Sequence, residues 1–337
     1  MRAIGYYQSL PSNDPNALQD LDLPKPSPSG SDLLVEVKAV AVNPVDTKVR
    51  QRRASENDTP VVLGYDAAGT VVATGPDVTD FKVGDDVYYA GDLTRPGTNA
   101  EFHLVDERIV GRKPGSLSFA EAAALPLTAI TAFEALFDRL KVNDPVPGKT
   151  RSLLIIGGSG GVGSIAIQLA RQLTDLTVVA TASRPESQAW CRELGAHHVL
   201  DHSKPMADQL EALNIDAPGF VFSTTHTGQH LDDIAAMIAP QGRFALIDDP
   251  EDLSIMPFKP KAVSVHWEFM FTRSMFQTAD MKAQQTLLNK VSELVDAGKV
   301  RTTLSRTIEP INAENLLDAH RQIESNATIG KIVLTGF

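Results

Sequence analysis

The stretch LLIIGGSGGVGSIAIQLAR, residues 153–171, places a cluster of glycines between an apolar strand and a helix. Its spacing is G-x-G-x-x-G in the strand–turn–helix context that a dinucleotide-binding loop requires. In such a loop the first glycine permits the tight turn, the second lets the backbone approach a pyrophosphate, and the third lets helix and strand pack closely. A P-loop is excluded because no Gly-Lys-Ser/Thr follows. A structural turn is the alternative. The residues predicted to hold the pyrophosphate are Gly158, Gly160, Gly161, Val162 and Gly163.

The segment TASRPES, residues 181–187, is expected to decide which dinucleotide binds. NAD sites place Asp or Glu at the end of the second strand, about 20 residues beyond the loop, to accept from the ribose 2′-hydroxyl. Here Ser183 and Arg184 stand at that tip, and both suit a 2′-phosphate. The pattern therefore favours NADPH, the alternative being that Arg184 is a solvated residue at a helix start.

The order of strand and helix patterns along the chain indicates the fold. The first third reads as strands and turns rather than helices, with β-branched runs divided by Gly and Pro. Beyond residue 150, apolar strands alternate with helices, which is typical of a parallel sheet covered on both faces. The closing strand GKIVLTG is expected to return to the N-terminal domain. We predict a doubly wound parallel (Rossmann) sheet, residues 126–271, inserted in a β-rich domain of residues 1–125 and 272–337.

Composition narrows the function classes. The chain has 337 residues, 42% of them hydrophobic, enough to bury a core without disulfides or metals. A net charge of −11 argues against nucleic acid or an anionic membrane as the main partner. The single cysteine excludes an internal disulfide and a cysteine-rich zinc lobe, and it fits a reducing, cytoplasmic compartment. No signal peptide or membrane-spanning run is expected.

Several motifs in order resemble the medium-chain dehydrogenase/reductase superfamily, and specifically its zinc-free quinone oxidoreductase branch. The matching segments are AVNPVDTKVR (41–50), LGYDAAGTVVATG (63–75), VGDDVY (83–88), AALPLTAITAFEAL (123–136), GGSGGVG (157–163) and the closing GKIVL. Residues 266–281 are similar to a subgroup labelled zinc-type alcohol dehydrogenase-like. The resemblance implies a GroES-like catalytic domain, a nicotinamide cofactor and a homodimer.

The sequence differs from the zinc alcohol dehydrogenases at the positions of the zinc ligands, and this difference bears on the reaction. By resemblance, their catalytic zinc ligands would fall at Asn43, Tyr65 and Leu127, and this is not a plausible zinc ligand set. A metal cluster of His197, His198 and His202 is not expected either, since neighbouring residues on a strand point to opposite faces. We expect no metal site. Without a Lewis acid, oxidation of a plain alcohol becomes harder.

The resemblance also implies roles for individual residues. Asn43 and Tyr65 line the catalytic pocket, where the Tyr65 phenol can donate to an enolate oxygen, and Thr128 contacts the nicotinamide side. For both Asn43 and Tyr65 a structural role stays open. The other cofactor-binding residues implied are His202 near the 2′-phosphate, Thr225, His226 and Ile247 near the nicotinamide ribose and carboxamide, Phe271 and Thr272 facing the nicotinamide, and Lys331 near the phosphates or ribose.

The chemistry that these residues favour is hydride transfer from NADPH to a quinone or an α,β-unsaturated carbonyl compound. In such substrates resonance carries the developing negative charge to a distant oxygen, where a hydrogen-bond donor can stabilise it. Two alternatives stay open: a zinc alcohol dehydrogenase with atypical ligands, and an NADPH-binding module without catalysis. The substrate itself is not specified by the sequence.

Overall fold

The computed structural model describes residues 1–148 and 151–337. The chain forms two compact units. The terminal unit comprises Met1–Ile130 and Phe271–Phe337, and the central unit comprises Thr131–Met270. The sequence had suggested limits at 125/126 and 271/272, whereas the contacts divide the chain at 130/131 and 270/271.

The first segment of the terminal unit is rich in strands, as expected. Its elements are β1 (Arg2–Tyr6), β2 (Gln19–Asp22), β3 (Asp32–Ala41), α1 (Pro44–Arg52), β4 (Val61–Val62), β5 (Asp66–Thr74), β6 (Asp86–Tyr89), β7 (Phe102–Asp106), β8 (Val110–Arg112), α2 (Phe119–Ala123) and the first part of α3 (Pro126–Phe133), a helix that contains the boundary at 130/131. The reading of this third as free of helices was wrong at α1. That helix lacks an apolar face, since its buried residues are Asp46, Thr47 and Arg50. A capping box and Pro44 at its start define it instead.

The central unit alternates strands and helices. After a π-helical turn at Glu134–Arg139 come β9 (Ser152–Ile156), α4 (Gly161–Leu173), β10 (Thr177–Thr181), α5 (Pro185–Glu193), β11 (His198–Leu200), α6 (Met206–Ala212), β12 (Phe220–Ser223), α7 (Thr227–Met237), β13 (Arg243–Leu246) and β14 (Ser264–Trp267). The six strands pair in parallel in the order β11-β10-β9-β12-β13-β14. The doubly wound sheet is therefore confirmed, and its order reverses between β9 and β12, where such folds bind ligands.

The final segment completes the terminal unit with α8 (Thr272–Met275), α9 (Ala283–Asp296), β15 (Leu304–Ile308), α10 (Ala313–Glu324) and β16 (Lys331–Thr335). Strand β16 pairs antiparallel with β3, with Val333 opposite Ala41. The expected return of the closing strand is confirmed. This pairing places Lys331, the first residue of β16, near the end of β3 and the start of α1.

The stretch Phe119–Arg139 has the length and hydropathy of a membrane-crossing helix, contrary to the expectation that no run of this kind exists. It is divided among α2, α3 and the π-helical turn, and 78% of its apolar window is buried inside the protein. A core segment that is apolar on all sides passes the same test.

Candidate cofactor and active site

The glycine loop joins β9 to α4, and its glycines have distinct geometric roles. Gly157 has a φ of +81°, so it makes the tight turn that the motif had assigned to Gly158. A Cβ on Gly158 would lie 2.8 Å from the Ala180 Cβ, so Gly158 allows close packing on β10 instead. A Cβ on Gly163 would lie 2.3 Å from the Gly157 carbonyl oxygen, which confirms its packing role. Beside Gly160 the nearest atom would be 3.7 Å away, so this position opens onto free space.

The start of α4 offers backbone donors to an anion. The first intrahelical bond runs from the Ser164 N–H to the Gly160 carbonyl, at 2.9 Å. Helix geometry therefore leaves the N–H groups of Gly161, Val162 and Gly163 without acceptors inside the helix, at the positive end of its dipole. A pyrophosphate group fits this set of donors, and the loop is suited to a pyridine dinucleotide.

The end of β10 carries the two residues predicted to choose the dinucleotide. Ser183 is exposed, and Arg184 stands at the N-cap of α5. The Arg184 Nε lies 3.4 Å from a Glu186 carboxylate oxygen, and both side chains are substantially exposed, at 43% and 59%. An exposed ion pair of this kind contributes little to stability, so a phosphate can compete for the guanidinium.

His202 lies next to the glycine loop. Its Nδ1 is 3.1 Å from the hydroxyl oxygen of Thr181, the last residue of β10, and this oxygen accepts from the Gly157 N–H at 3.1 Å. On the other side of β9, the Thr225 hydroxyl lies 2.8 Å from the His226 Nδ1, and His226 has a φ of +52°. Ile247 directly follows β13 and is half-buried.

The structure therefore brings one group of predicted residues to one edge of the central sheet. They follow the carboxyl ends of its parallel strands, where this fold binds nucleotides. The group is Gly158, Gly160, Gly161, Val162, Gly163, Ser183, Arg184, His202, Thr225, His226 and Ile247. The remaining predicted residues belong to the terminal unit: Asn43, Tyr65, Thr128, Phe271, Thr272 and Lys331. Contact of these residues with a cofactor stays a prediction, except for Lys331, whose hydrogen bonds are described below.

A buried polar network, which we call the ammonium cluster, consists of Asn43, Asp46, Asp66 and Lys331. The Lys331 ammonium donates to the Val42 carbonyl at 3.0 Å, to an Asp66 carboxylate oxygen at 3.0 Å and to the Asn43 side-chain oxygen. The Asn43 amide in turn donates to Asp66 at 2.8 Å. All four side chains are at most 3% exposed.

This network corrects the expectation for Lys331. Three donors of the ammonium meet three acceptors within the terminal unit, so none is left for cofactor phosphates or ribose. The Asn43 side chain is likewise used on both its donor and acceptor sides, which favours the structural reading of this residue. The sequence did not reveal the pairing of Lys331 with Asp66, because 265 residues separate them.

Asp46 and Asp66 hold backbone groups at the same place. Asp46 is the third residue of α1, and its carboxylate accepts from the N–H groups of Asn43 at 2.7 Å and Gly64 at 3.0 Å. Burial raises the pKa of Asp46 to about 7, against the effect of these two bonds. The second oxygen of Asp66 accepts from the Leu127 N–H at 2.7 Å, at the start of α3.

Tyr65 is the predicted catalytic residue with an available donor. Its ring packs edge-on against Phe271 at 5.3 Å between centroids. Within the part of the chain that the structure describes, its hydroxyl has no hydrogen-bond partner. Burial raises its pKa above the usual value, so the phenol keeps its proton at neutral pH. Thr128, by contrast, donates its hydroxyl to the Leu125 carbonyl at 2.9 Å.

The residues at the family's zinc position do not fit a zinc ion. Asn43, Tyr65 and Leu127 offer an amide, a phenol and an aliphatic chain, whereas zinc selects thiolate, imidazole and carboxylate ligands. The nearby carboxylate of Asp66 is already paired with the Lys331 ammonium. Across residues 1–148 and 151–337, no group of three His, Cys, Asp or Glu side chains is placed to hold a metal ion.

A glycine loop of this geometry on a doubly wound sheet, in a chain whose other unit is β-rich and built from both chain ends, defines an oxidoreductase that binds a pyridine nucleotide. Two family models match: the alcohol dehydrogenase GroES-like domain at residues 29–133 and the zinc-binding dehydrogenase domain at residues 194–334. The chain belongs to the medium-chain dehydrogenase/reductase superfamily, in its zinc-free quinone oxidoreductase branch. The GroES-like fold of the terminal unit is thereby confirmed.

Curated relatives cover most of the chain. A zinc-type alcohol dehydrogenase-like protein of Staphylococcus aureus strain MSSA476 is 39% identical over 99% of both chains. A 2-methylene-furan-3-one reductase of Solanum lycopersicum is 30% identical, and a chloroplastic NADPH-dependent alkenal/one oxidoreductase of Arabidopsis thaliana is 31% identical. Each of these two matches covers 90% of this chain and 71% of the relative.

Solved structures share the fold. A crystal structure from Rhizobium etli CFN 42, provisionally described as a zinc-dependent alcohol dehydrogenase, is 63% identical with a TM-score of 0.99, covering 100% of this chain and 98% of its own. The quinone oxidoreductase of Coxiella burnetii is 26% identical with a TM-score of 0.79, covering 100% and 99%. Zinc therefore stands in several names, although the residues found here at the zinc position do not suit it.

Proposed function

We propose that the protein is an NADPH-dependent, zinc-independent oxidoreductase that transfers hydride to quinones or α,β-unsaturated carbonyl compounds. The observation that carries this proposal is the ammonium cluster, because Asn43, one of the zinc-ligand positions by resemblance, accepts from Lys331, and this lysine is paired with the Asp66 carboxylate. Substrates that are already electron-poor do not need a Lewis acid to accept hydride. The names of the tomato and Arabidopsis relatives point to the same substrate class.

In this mechanism NADPH supplies the hydride when it is bound. The chain's own groups position the cofactor and stabilise the negative charge that develops on the substrate. The α4 start and the glycine loop hold the pyrophosphate, while Ser183 and Arg184 hold the 2′-phosphate. The Tyr65 phenol donates to the substrate carbonyl oxygen, which gains negative charge as the β-carbon accepts hydride. Solvent supplies the proton that completes the reduced product. Tyr65 suits this role because its hydroxyl is protonated and has no competing partner among the described residues.

The test is a steady-state assay that follows loss of the NADPH absorbance with a panel of small quinones and enones, with and without a chelator. We expect turnover that the chelator does not change, and no stoichiometric zinc by metal analysis. Bound zinc with chelator-sensitive alcohol oxidation would favour the zinc alcohol dehydrogenase alternative. Tight NADPH binding without turnover across the panel would favour a non-catalytic module. Either result overturns the proposal.

We further propose a homodimer in the cytoplasm, without nucleic acid or membrane partners. Strand β14 ends the central sheet and pairs only with β13 among the strands described, and Trp267 and Phe269 at its end are 52% and 45% exposed. Exposed aromatic side chains on a sheet edge are typical of a surface that a second copy covers. Light scattering on the purified protein tests this, and a monomeric mass at micromolar concentration contradicts it.

A further inference from the structure

Three histidines, which we call the histidine trio, meet at the edge of the central sheet: His202, His226 and His230. The rings of His202 and His230 lie 5.7 Å apart between centroids and are tilted by 51°. Both are half-buried, while His226 is exposed at the N-cap of α7. His230 was not singled out in the sequence, because it comes from α7 while His202 follows β11.

The trio lies at the nucleotide edge. His202 contacts Thr181, whose hydroxyl also accepts the Gly157 N–H of the glycine loop. Ser183 and Arg184 follow Thr181 directly in the chain. The trio therefore adjoins both the pyrophosphate donors and the tip that is predicted to meet the adenosine 2′-phosphate.

Resting on the proposed function, we propose that His230 and His202 together bind the 2′-phosphate of NADPH and take up a proton when they do so. The two rings are close enough to share a single phosphate group. An imidazolium donates charge-assisted hydrogen bonds that a neutral ring cannot match. Protonation would thus add to the contribution of Arg184 specifically for the phosphorylated cofactor. NADH, which carries a 2′-hydroxyl, gains nothing from it.

The charged groups around the histidine trio are compatible with proton uptake on phosphate binding. Burial lowers the pKa of His202 and of His230, and the neighbouring histidines lower each further, so both rings are mainly neutral before a phosphate arrives. The carboxylates that act in the opposite direction are Asp201 on His202, and Asp233 and Asp248 on His230. Two of the three already have partners: Asp201 accepts from Ser203, and Asp248 accepts from the Thr227 N–H at 2.8 Å. A bound phosphate dianion adds a stronger negative charge, which raises the pKa of the neighbouring histidines so that a ring takes up a proton from solvent.

Isothermal titration calorimetry of NADP⁺ and NAD⁺ tests the proposal between pH 6.5 and 8.5. Titrations in two buffers of different ionisation enthalpy give the number of protons taken up. We expect uptake with NADP⁺ and none with NAD⁺, and an affinity ratio of NADP⁺ to NAD⁺ that falls roughly tenfold across this range. Because the phosphate itself titrates near pH 6, the variants are compared with the natural protein at each pH.

In the variant His230→Gln we expect weaker NADP⁺ binding at pH 6.5, unchanged NAD⁺ binding and loss of most of the pH dependence. His266→Gln is the matched control, since His266 is a half-buried histidine on β14 of the same unit whose pKa burial also lowers. Equal loss of both nucleotides in His230→Gln would assign the ring to adenine stacking and overturn the proposal. A pH-independent ratio in the natural protein would overturn it too. Failure of both nucleotides to bind would overturn the proposed function as well.

Discussion

In the glycine loop the backbone N–H groups of Gly161, Val162 and Gly163 have no acceptors within α4, whereas in the ammonium cluster every donor of Lys331 is matched by an acceptor of the same unit. These loop donors are open to water or to a bound anion. The cluster is complete by itself, since Asp66 and Lys331 neutralise each other.

The glycine loop of the central unit and the ammonium cluster of the terminal unit therefore differ in how their polar groups are satisfied. The loop keeps the geometry that binds a nucleotide. In the cluster the Lys331 ammonium neutralises the Asp66 carboxylate, and the Asn43 side chain hydrogen-bonds both residues. The buried polar groups of the cluster are paired with one another, as buried polar groups in folded proteins usually are.

Lys331→Met is expected to have the largest effect, and it tests whether the cluster is structural. The change leaves the Asp66 carboxylate, which is 0% exposed, without its cation. Breaking a buried ion pair on one side costs about 3–5 kcal/mol in the free energy of unfolding. Urea denaturation followed by circular dichroism measures it. The double variant Asp66→Asn/Lys331→Met is the control, and we expect it to recover most of the loss. A single variant as stable as the natural protein would show that the cluster contributes little.

The next prediction separates packing glycines from ligand-facing glycines in the loop. In Gly163→Ala the new Cβ meets the Gly157 carbonyl oxygen at 2.3 Å, so overpacking lowers stability by about 2 kcal/mol and weakens NADPH binding. In Gly160→Ala the Cβ has 3.7 Å of room and the backbone, at φ −70°, accepts alanine. We expect normal stability but at least tenfold weaker NADPH binding, because the methyl group occupies space beside the helix start. Thermal melts and fluorescence titrations measure both quantities. Wild-type affinity in Gly160→Ala would place the cofactor elsewhere.

Local patterns were predictable from the sequence, and long-range pairings were not. The glycine loop, the alternating strands and helices and the return of β16 all follow from short stretches with a clear period or motif. Helix α1 was missed because PVDTKVRQR has no apolar face and buries Arg50 and Asp46 instead. The turn at Gly157 was assigned one residue too late, since the motif fixes spacing but not backbone angles.

In the candidate site, too, local motifs were predictable from the sequence and long-range pairings were not. The predicted nucleotide residues lie on one sheet edge because parallel strands end there, which is a general property of the fold. Lys331 was expected near a cofactor, yet its partners Asn43 and Asp66 lie 288 and 265 residues away in the chain. His230 was missed for the same reason, because its neighbour His202 comes from a different strand–helix unit.

Tyr65→Phe tests whether one donor near the cluster is kept for a substrate rather than for the fold. We expect a kcat roughly tenfold lower, equivalent to about 1.4 kcal/mol, with NADPH affinity and stability unchanged. Stability is unaffected because the hydroxyl has no partner among the described residues. Steady-state kinetics and a thermal melt measure the two effects. Tyr88→Phe is the control, since the Tyr88 hydroxyl donates to the Leu288 carbonyl at 2.6 Å. That variant should lose stability and keep kcat, and the reverse pattern would refute the assignment.

The smallest expected effect concerns a buried pair of carboxyl groups, Glu134 and Glu268. Unlike the glycine loop and the ammonium cluster, this pair needs a bound proton to avoid two adjacent negative charges. Glu268 is 2% exposed beside the fully buried Glu134, and its carboxylate accepts from Arg139 at 2.9 Å. Burial, reinforced by the charge of Glu134, raises the pKa of Glu268 to about 9. Between its ordinary pKa of 4.5 and this value, the folded protein binds a proton that the unfolded chain releases. Stability therefore falls as the pH rises through this window and levels off above it.

Glu268→Gln removes that dependence, because the amide stays neutral at every pH while keeping an oxygen for Arg139. We expect the Tm of the variant to match the natural protein at pH 5 and to exceed it by about 2–4 °C at pH 8.5, a gain of about 1 kcal/mol. Glu251→Gln, at an exposed position of the same unit, controls for the charge change and should show no such difference. An equal shift at both pH values would mean that Glu268 is ionised throughout. The pair would then resemble the ammonium cluster, with Arg139 supplying the cation in place of a proton.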